Sequence, residues 1–163
     1  MRREKYQNIS TTTEHADYEI RIYFPLKFEA FRKLYLDSYT DFVKSICTTD
    51  DWSDNSGGKS GSSFLKTKCE KFVLKEVNKK EMKMFEQSAG NYFDYLCKSF
   101  FIYYPTSLAK ILGAYRVTTR VKGKASEMKD RYFFIMENMF YNWKPSKKSL
   151  VYDLKGSMRK RFL

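Results

Sequence analysis

Apolar and polar residues follow two different periods along this chain, and each period predicts a kind of element. Residues 18–24 alternate between the two classes, which is typical of a strand with one buried face. Apolar positions three and four residues apart predict helices over about 27–46 and 79–101. Residues 1–16 show neither period, and we expect them to form a frayed or disordered polar arm.

Further strands are predicted between and after these helices. Residues 63–67 and 71–77 are separated by Lys68-Cys69-Glu70 and predict a hairpin. Residues 114–121 alternate, and the continuous apolar run 132–136 is typical of a strand at the centre of its sheet. Residues 150–154 are predicted as a last strand. This order of elements predicts an α+β domain, with an antiparallel sheet and helices packed on one side.

Composition narrows the class of protein. The 163 residues include 31 Lys+Arg against 19 Asp+Glu, giving a net charge of +12, and 18% are aromatic. That aromatic content excludes a disordered polar chain. No run of about 18 apolar residues predicts a membrane-spanning helix. The polar N-terminus does not resemble a secretory signal.

Cysteine and histidine usage argues against several kinds of site. Cys47, Cys69 and Cys97 lie far apart without a C-x-x-C pair, and His15 is the single histidine. This pattern predicts reduced thiols in the cytoplasm rather than a disulfide framework or a zinc site. One histidine near the terminus also argues against a His-based catalytic triad. We therefore expect no metal site built from these residues.

Two stretches carry most of the positive charge. Residues 59–83 hold eight lysines against three glutamates, and residues 144–161 hold seven cations against one aspartate. Such clusters indicate a polyanionic partner, namely nucleic acid, an anionic membrane surface or a phosphorylated small molecule. A solvated basic face is the alternative. No RNP aromatic motif, zinc finger or helix-turn-helix supports nucleic acid.

The segment 48–63 is predicted to be a loop and contains S-G-G-K-S-G-S-S at 56–63. Glycine and serine let backbone N–H groups approach phosphate oxygens closely. It is not a P-loop, because Ser53 occupies the position of the first required glycine and a strand follows the loop instead of a helix. A surface loop without a ligand is the alternative.

Lys75 supports the interpretation of segment 56–63 as a phosphate-binding loop. Alternation places it on the same face of its strand as Val73 and Val77, where an unpaired ammonium is costly and must find an anion. A glycine-rich loop followed by an inward lysine is how kinases hold ATP phosphates, and such a lysine pairs with a glutamate of the next helix. Glu81 is the candidate for that glutamate. The alternative for Lys75 is a side chain that reaches solvent.

Two more segments are candidates for chemistry. Residues 133–139 resemble a strand running into a hinge whose backbone groups bind an adenine, or else an ordinary strand end. In an extended segment, Asp153 and Lys155 project from one face and could meet a phosphate–metal assembly. A surface ion pair worth under ~1 kcal/mol is the alternative.

Five motifs resemble the phosphatidylinositol phosphate kinases. They are S-G-G-K-S-G-S-S-F at 56–64, K-F-V-L-K at 71–75, P-T-S-L-A-K-I-L-G-A-Y-R-V at 105–117, M-E-N-M-F-Y at 136–141 and Y-D-L-K-G-S-M-R-K-R at 152–161. The D-L-K-G-S block is specific to that family. The G-G-K-S-G-S and M-E-N-x-F-Y forms are most similar to the phosphatidylinositol 3-phosphate 5-kinase class, whose large members often carry a FYVE finger.

The resemblance implies that residues 17–163 form the N-terminal lobe of such a kinase, distantly like that of protein kinases. It implies ATP as cofactor, with Asp153 and Lys155 as catalytic residues at the ATP–lipid junction. The residues implied in ATP binding are Gly57, Gly58, Lys59, Ser60, Gly61, Ser62, Ser63, Lys75, Glu81, Glu137, Asn138 and Met139.

The resemblance also sets limits on activity. The C-terminal lobe of the family, with its catalytic and metal-binding aspartate motifs, is absent from these 163 residues, so Mg²⁺ ligands are expected there and the isolated chain is expected to be inactive. The implied substrate is phosphatidylinositol 3-phosphate, with a phosphatidylinositol-4-phosphate 5-kinase or a non-catalytic module on anionic phosphoinositide membranes as alternatives. The implied location is cytoplasmic, peripheral on endosomal or other intracellular membranes.

Overall fold

A computed structural model of the chain describes residues 5–51, 63–123 and 128–144, together with residues 146, 149, 150 and 152. Within these residues, seven strands form one antiparallel sheet, and three helices pack against it. The α+β class and the antiparallel sheet predicted from the sequence are confirmed.

The seven strands and three helices have the following bounds and order in the sheet. The strands are β1 (Tyr6–Thr12), β2 (Ala16–Tyr23), β3 (Thr49–Asp51), β4 (Phe64–Thr67), β5 (Phe72–Val77), β6 (Ile111–Val121) and β7 (Met128–Glu137). The helices are α1 (Pro25–Tyr35), α2 (Tyr39–Ile46) and α3 (Lys79–Phe101). The strand order across the sheet is β1-β2-β6-β7-β5-β4-β3. The apolar strand β7 is therefore the central one, as predicted.

Both edges of the sheet are strands that the sequence does not predict. Strand β1 pairs with β2 along its whole length, so the expectation of a frayed arm is wrong for residues 6–12. Strand β3 lies in the predicted loop 48–63 and pairs with β4. Backbone hydrogen bonds to one neighbour hold an edge strand. Because the side chains of β1 are almost all exposed, its sequence carries no apolar period.

The predicted helix over 27–46 is two helices. Helix α1 ends at Tyr35, and α2 begins after Ser38, whose hydroxyl accepts a hydrogen bond from the Asp41 N–H at 3.1 Å. A serine in this position satisfies a free N–H group at the start of a helix. The helix predicted over 79–101 is confirmed as α3.

Helix α3 packs on one face of the sheet. The ring of Phe85 lies against Phe134 of β7 and against Phe28 of α1, with centroids 5.0 Å and 6.2 Å apart. Met82 and Ala89 of α3 belong to the same buried cluster. These are the apolar positions from which the helix is predicted.

The helices cover both faces of the sheet, not the single face predicted. Phe134 and Ile135 are consecutive in β7 and point to opposite faces, yet both are buried. Ile135 belongs to a second cluster with Phe42 of α2 and Phe72 of β5, whose rings lie 5.1 Å apart. The break between α1 and α2 allows α2 to reach this second face.

Strand β6 begins with an irregularity whose backbone is hydrogen-bonded to side chains of α1 and α3. The register with β7 shifts between Ile111 and Gly113, which leaves Leu112 as an extra residue. The carbonyl of Leu112 accepts a hydrogen bond from Arg32 Nη1 at 2.7 Å. The hydroxyl of Tyr92 accepts from the N–H of Ile111 at 2.7 Å and donates to its carbonyl at 3.2 Å. The start of β6 is thereby fixed to α1 and α3.

Candidate functional site

Lys75 lies in the middle of β5, half-buried, on the sheet face that α3 covers. It is the register partner of Phe64 in β4 and of Phe134 in β7, and directly opposite residues share a face. The predicted alternation with Val73 and Val77 is confirmed. In the described part of the chain, no carboxylate forms an ion pair with Lys75.

Glu81 is held in a helix cap at the start of α3. Its Oε2 accepts a hydrogen bond from the Asn78 N–H at 2.8 Å, and its own N–H donates to Asn78 Oδ1 at 2.9 Å. This reciprocal arrangement is a capping box, which an Asn followed three residues later by Glu could have signalled. The pairing of Glu81 with Lys75 stays a prediction.

Ser63 is the residue of the predicted phosphate loop that the structure describes. Because β3 and β4 are antiparallel neighbours, Ser63 stands where the chain enters the second strand of a hairpin. The other predicted site residues in the loop and near the end of the chain lie outside the described residues: Gly57, Gly58, Lys59, Ser60, Gly61, Ser62, Asp153 and Lys155.

Ser63 is bound to β5 through Glu76. Its hydroxyl donates to Glu76 Oε2 at 2.6 Å, and its carbonyl accepts from the Glu76 N–H at 2.9 Å. Arg131 donates to both oxygens of the same carboxylate, from Nε at 2.9 Å and from Nη2 at 2.8 Å. These bonds from Arg131, with the one from Ser63, lower the pKa of Glu76 to about 2. Sequence reasoning missed this network, because it depends on the pairing of β5 with β7.

Glu137, at the end of β7, is bound to the residue that precedes β6. Its Oε1 accepts from the backbone N–H of Lys110 at 2.9 Å and from Lys110 Nζ at 3.0 Å, and its Oε2 lies 3.1 Å from the same Nζ. The backbone N–H of Glu137 donates to the Lys110 carbonyl at 3.0 Å. Two of the sequence motifs, P-T-S-L-A-K-I and M-E-N, therefore meet through one ion pair.

Asn138 is bound on the other side, to the turn that precedes β5. Its N–H donates to the Lys71 carbonyl at 2.9 Å, and its Nδ2 donates to the Glu70 carbonyl at 2.7 Å. Its Oδ1 accepts from the Phe140 N–H and its backbone carbonyl accepts from the Tyr141 N–H, both at 3.0 Å. The side chain therefore shapes the backbone that follows β7.

Met139, the next residue, is not bound within the described part of the protein as Glu137 and Asn138 are. It is 64% exposed, and its backbone N–H and carbonyl make no hydrogen bond with the described residues. Three residues earlier, Met136 is the register partner of Val73, so both residues lie on the same face of the sheet as Lys75. The candidate parts thus meet on β5 and on its neighbours β4 and β7. The described residues contain no group of three or more His, Cys, Asp or Glu that could hold a metal ion.

Residues 46–163 match the sequence model of the family Phosphatidylinositol-4-phosphate 5-Kinase. The 1-phosphatidylinositol 3-phosphate 5-kinase FAB1 of Saccharomyces cerevisiae is 38% identical over 141 residues, which cover 86% of this chain and 6% of that protein. The 1-phosphatidylinositol 3-phosphate 5-kinase of Homo sapiens is 36% identical, over 90% of this chain and 7% of its own.

The 1-phosphatidylinositol-3-phosphate 5-kinase FAB1B of Arabidopsis thaliana is 37% identical over 89% of this chain and 8% of its own length. The chain thus spans less than a tenth of each of these relatives. The resemblance carried by the sequence motifs is confirmed. The chain belongs to the phosphatidylinositol-4-phosphate 5-kinase family, a family of phosphoinositide kinases.

Proposed function

We propose that this chain is the ATP-binding N-terminal lobe of a phosphoinositide kinase. The observation that carries the proposal is the placement of Lys75. It is a half-buried cation on the face of β5 that α3 covers, without a carboxylate partner among the described residues. A cation in such a position gains most from a multiply charged anion, and a triphosphate fits that need.

The other candidate residues fit the same ligand. Backbone N–H groups from Gly57 to Ser63 would bind phosphate oxygens, and Glu81 would reach Lys75 on leaving its cap. Residues 137–139 would lie beside the adenine, with Val73 below it. Bound ATP supplies the transferable phosphoryl group, and the residues of this chain hold and orient it.

The proposed lipid substrate is phosphatidylinositol 3-phosphate, phosphorylated at its 5-hydroxyl. The three relatives are named as 3-phosphate 5-kinases, which supports this choice, and phosphatidylinositol 4-phosphate is the competing substrate. Asp153 and Lys155 would act at the junction of ATP and lipid. The aspartate motifs expected to bind Mg²⁺ do not occur in these 163 residues, so the isolated chain should bind ATP weakly and transfer no phosphate.

Two measurements on the 163-residue chain test this proposal. Amide chemical shifts followed during an ATP titration should reveal weak, saturable binding, with the largest changes along β5. Incubation with radiolabelled ATP and vesicles of either lipid should label neither lipid. Absence of ATP binding would contradict the proposed lobe, and labelled lipid would contradict the proposed inactivity of the isolated chain.

A second candidate is a non-catalytic module that binds anionic membranes peripherally. Lys79, Lys80 and Lys83 are exposed on the first turns of α3, and each cation near an anionic surface contributes about 1 kcal/mol. None of the helices in the described part of the chain is long and apolar enough to cross a bilayer. Sedimentation with phosphoinositide vesicles at two salt concentrations tests this candidate, and salt-independent or absent binding would contradict it.

A further inference from the structure

We propose that Glu137 and Asn138 are positioning residues, whose side chains hold the backbone of Met139 in place to recognise an adenine. The inference rests on the proposed ATP-binding function. It gives adjacent residues of the M-E-N-M motif different roles. Glu137 and Asn138 are bound within the protein, and Met139 is left to meet the ligand.

The backbone N–H and carbonyl of Asn138 and both polar atoms of its side chain each form a hydrogen bond within the protein. Its N–H and Nδ2 donate to the carbonyls of Lys71 and Glu70, and its Oδ1 and carbonyl accept from the N–H groups of Phe140 and Tyr141. The backbone N–H of Asn138 has a single hydrogen, so it could bond to an adenine only by leaving the Lys71 carbonyl. The cost of leaving a polar group unpaired makes this exchange unfavourable.

Glu137 is committed in the same way on the opposite side. Its N–H and its carboxylate both bind Lys110, and the two side chains are only 33% and 21% exposed. A charge-assisted bond with two contacts fixes orientation as well as distance. Lys110 Nζ also lies 5.5 Å from the ring centroid of Tyr35, which restrains the lysine from the α1 side.

These two anchors hold the end of β7 between its neighbours in the sheet. Lys110 precedes β6, and Glu70 and Lys71 precede β5, so the backbone after β7 is fixed to both adjacent strands. The first backbone groups beyond the anchors without a partner among the described residues are those of Met139. One N–H and one carbonyl suit adenine, whose edge presents a ring-nitrogen acceptor beside an amino donor.

Comparing ATP with inorganic tripolyphosphate separates adenine recognition from phosphate binding. The tripolyphosphate chain can use Lys75 but has no base to place against Met139. Asn138→Ala removes both side-chain anchors, Asn138→Asp keeps the acceptor for the Phe140 N–H, and Glu137→Gln keeps the acceptor for the Lys110 N–H. Glu70→Gln is the matched control, because Asn138 donates its hydrogen bond to the backbone carbonyl of Glu70, which this substitution keeps.

Both ligands are titrated into the 163-residue chain and its variants, with amide shifts as the readout and circular dichroism as the check on folding. The wild-type chain should bind ATP more tightly than tripolyphosphate. Asn138→Ala should weaken ATP binding by about tenfold, as loss of about 1.4 kcal/mol predicts, and leave tripolyphosphate binding unchanged. Glu137→Gln and Asn138→Asp should show smaller losses of the same kind, and Glu70→Gln none.

Each other outcome has a defined meaning. Binding of neither ligand by the wild-type chain would overturn the proposed ATP site and this inference together. Equal wild-type affinity for the two ligands, or unchanged ATP affinity in the folded variants, would overturn the inference alone. An equal loss of both ligands would show a general loss of structure and would also overturn it. If Asn138→Ala does not fold, the two conservative variants decide the question.

Discussion

The carboxylate of Glu76 joins three strands at the entrance to the candidate phosphate loop. It accepts two hydrogen bonds from Arg131 of β7 and one from Ser63, which immediately precedes β4. Glu76→Gln keeps the size of the side chain and removes its charge. The variant should be less stable than the wild-type chain, because the remaining amide cannot accept a bidentate guanidinium in the same way.

The pKa of Glu76 sets an upper limit on this effect. Arg131 and Ser63 lower that pKa from 4.5 to about 2, which corresponds to roughly 3 kcal/mol at most. The side chains of Glu76 and Arg131 are 29% and 44% exposed, so solvent screening reduces the expected contribution to about 1–2 kcal/mol. Because the folded state has the lower pKa, this stability is fully present above pH 4.5 and is lost as the pH falls towards 2.

Urea unfolding at pH 7 and pH 3, followed by circular dichroism, measures both the size and the sign. The free energy of unfolding of the wild-type chain should exceed that of Glu76→Gln by about 1–2 kcal/mol at pH 7, and by less at pH 3. Glu70→Gln is the control, because the Glu70 side chain is 59% exposed and, among the described residues, forms its ion pair with Lys66. A difference of the same size at both pH values, or none at pH 7, would refute the reasoning.

Three further predictions concern the start of β6 and the interior of α3. Tyr92→Phe removes the hydroxyl that binds both backbone groups of Ile111, and urea unfolding should show a loss of about 1–2 kcal/mol; an unchanged midpoint would contradict this. Gly113→Ala places a Cβ 2.5 Å from the ring of Tyr115, and thermal unfolding should show a loss of about 1–3 kcal/mol. Gly90→Ala meets nothing within 4 Å in α3 and should instead stabilise by up to about 1 kcal/mol; a shift of the same sign for both alanine variants would count against the packing described.

Elements with a buried face could be predicted from the sequence, and elements without one could not. Helix α3 shows its apolar period, and strand β7 its continuous apolar run, because the two pack against each other through Phe85 and Phe134. Strand β1 lacks such a period because it is held by backbone pairing with β2. The break before Ser38 is not predicted, because apolar positions continue at helical spacing across it. The cap formed by Ser38 marks the start of α2.

The candidate site was predictable only as far as local geometry determines it. The pleat of a strand puts Lys75 on the face of Val73 whatever the rest of the fold does, so alternation was sufficient. The ion pair of Glu137 with Lys110 joins residues 27 positions apart, and it depends on how β6 and β7 are aligned. The sequence holds both motifs, but their contact follows from the register between β6 and β7, which neither motif determines by itself.

The central claim is that Lys75 binds the phosphates of ATP, and one titration tests it most directly. ATP affinity is measured for the wild-type chain, for Lys75→Met and for Lys98→Met, which changes an exposed lysine in the last turn of α3. We predict that Lys75→Met retains the circular dichroism spectrum of the wild-type chain and loses at least about tenfold in ATP affinity, whereas Lys98→Met binds as the wild-type chain does. Wild-type affinity in a folded Lys75→Met variant would contradict the account.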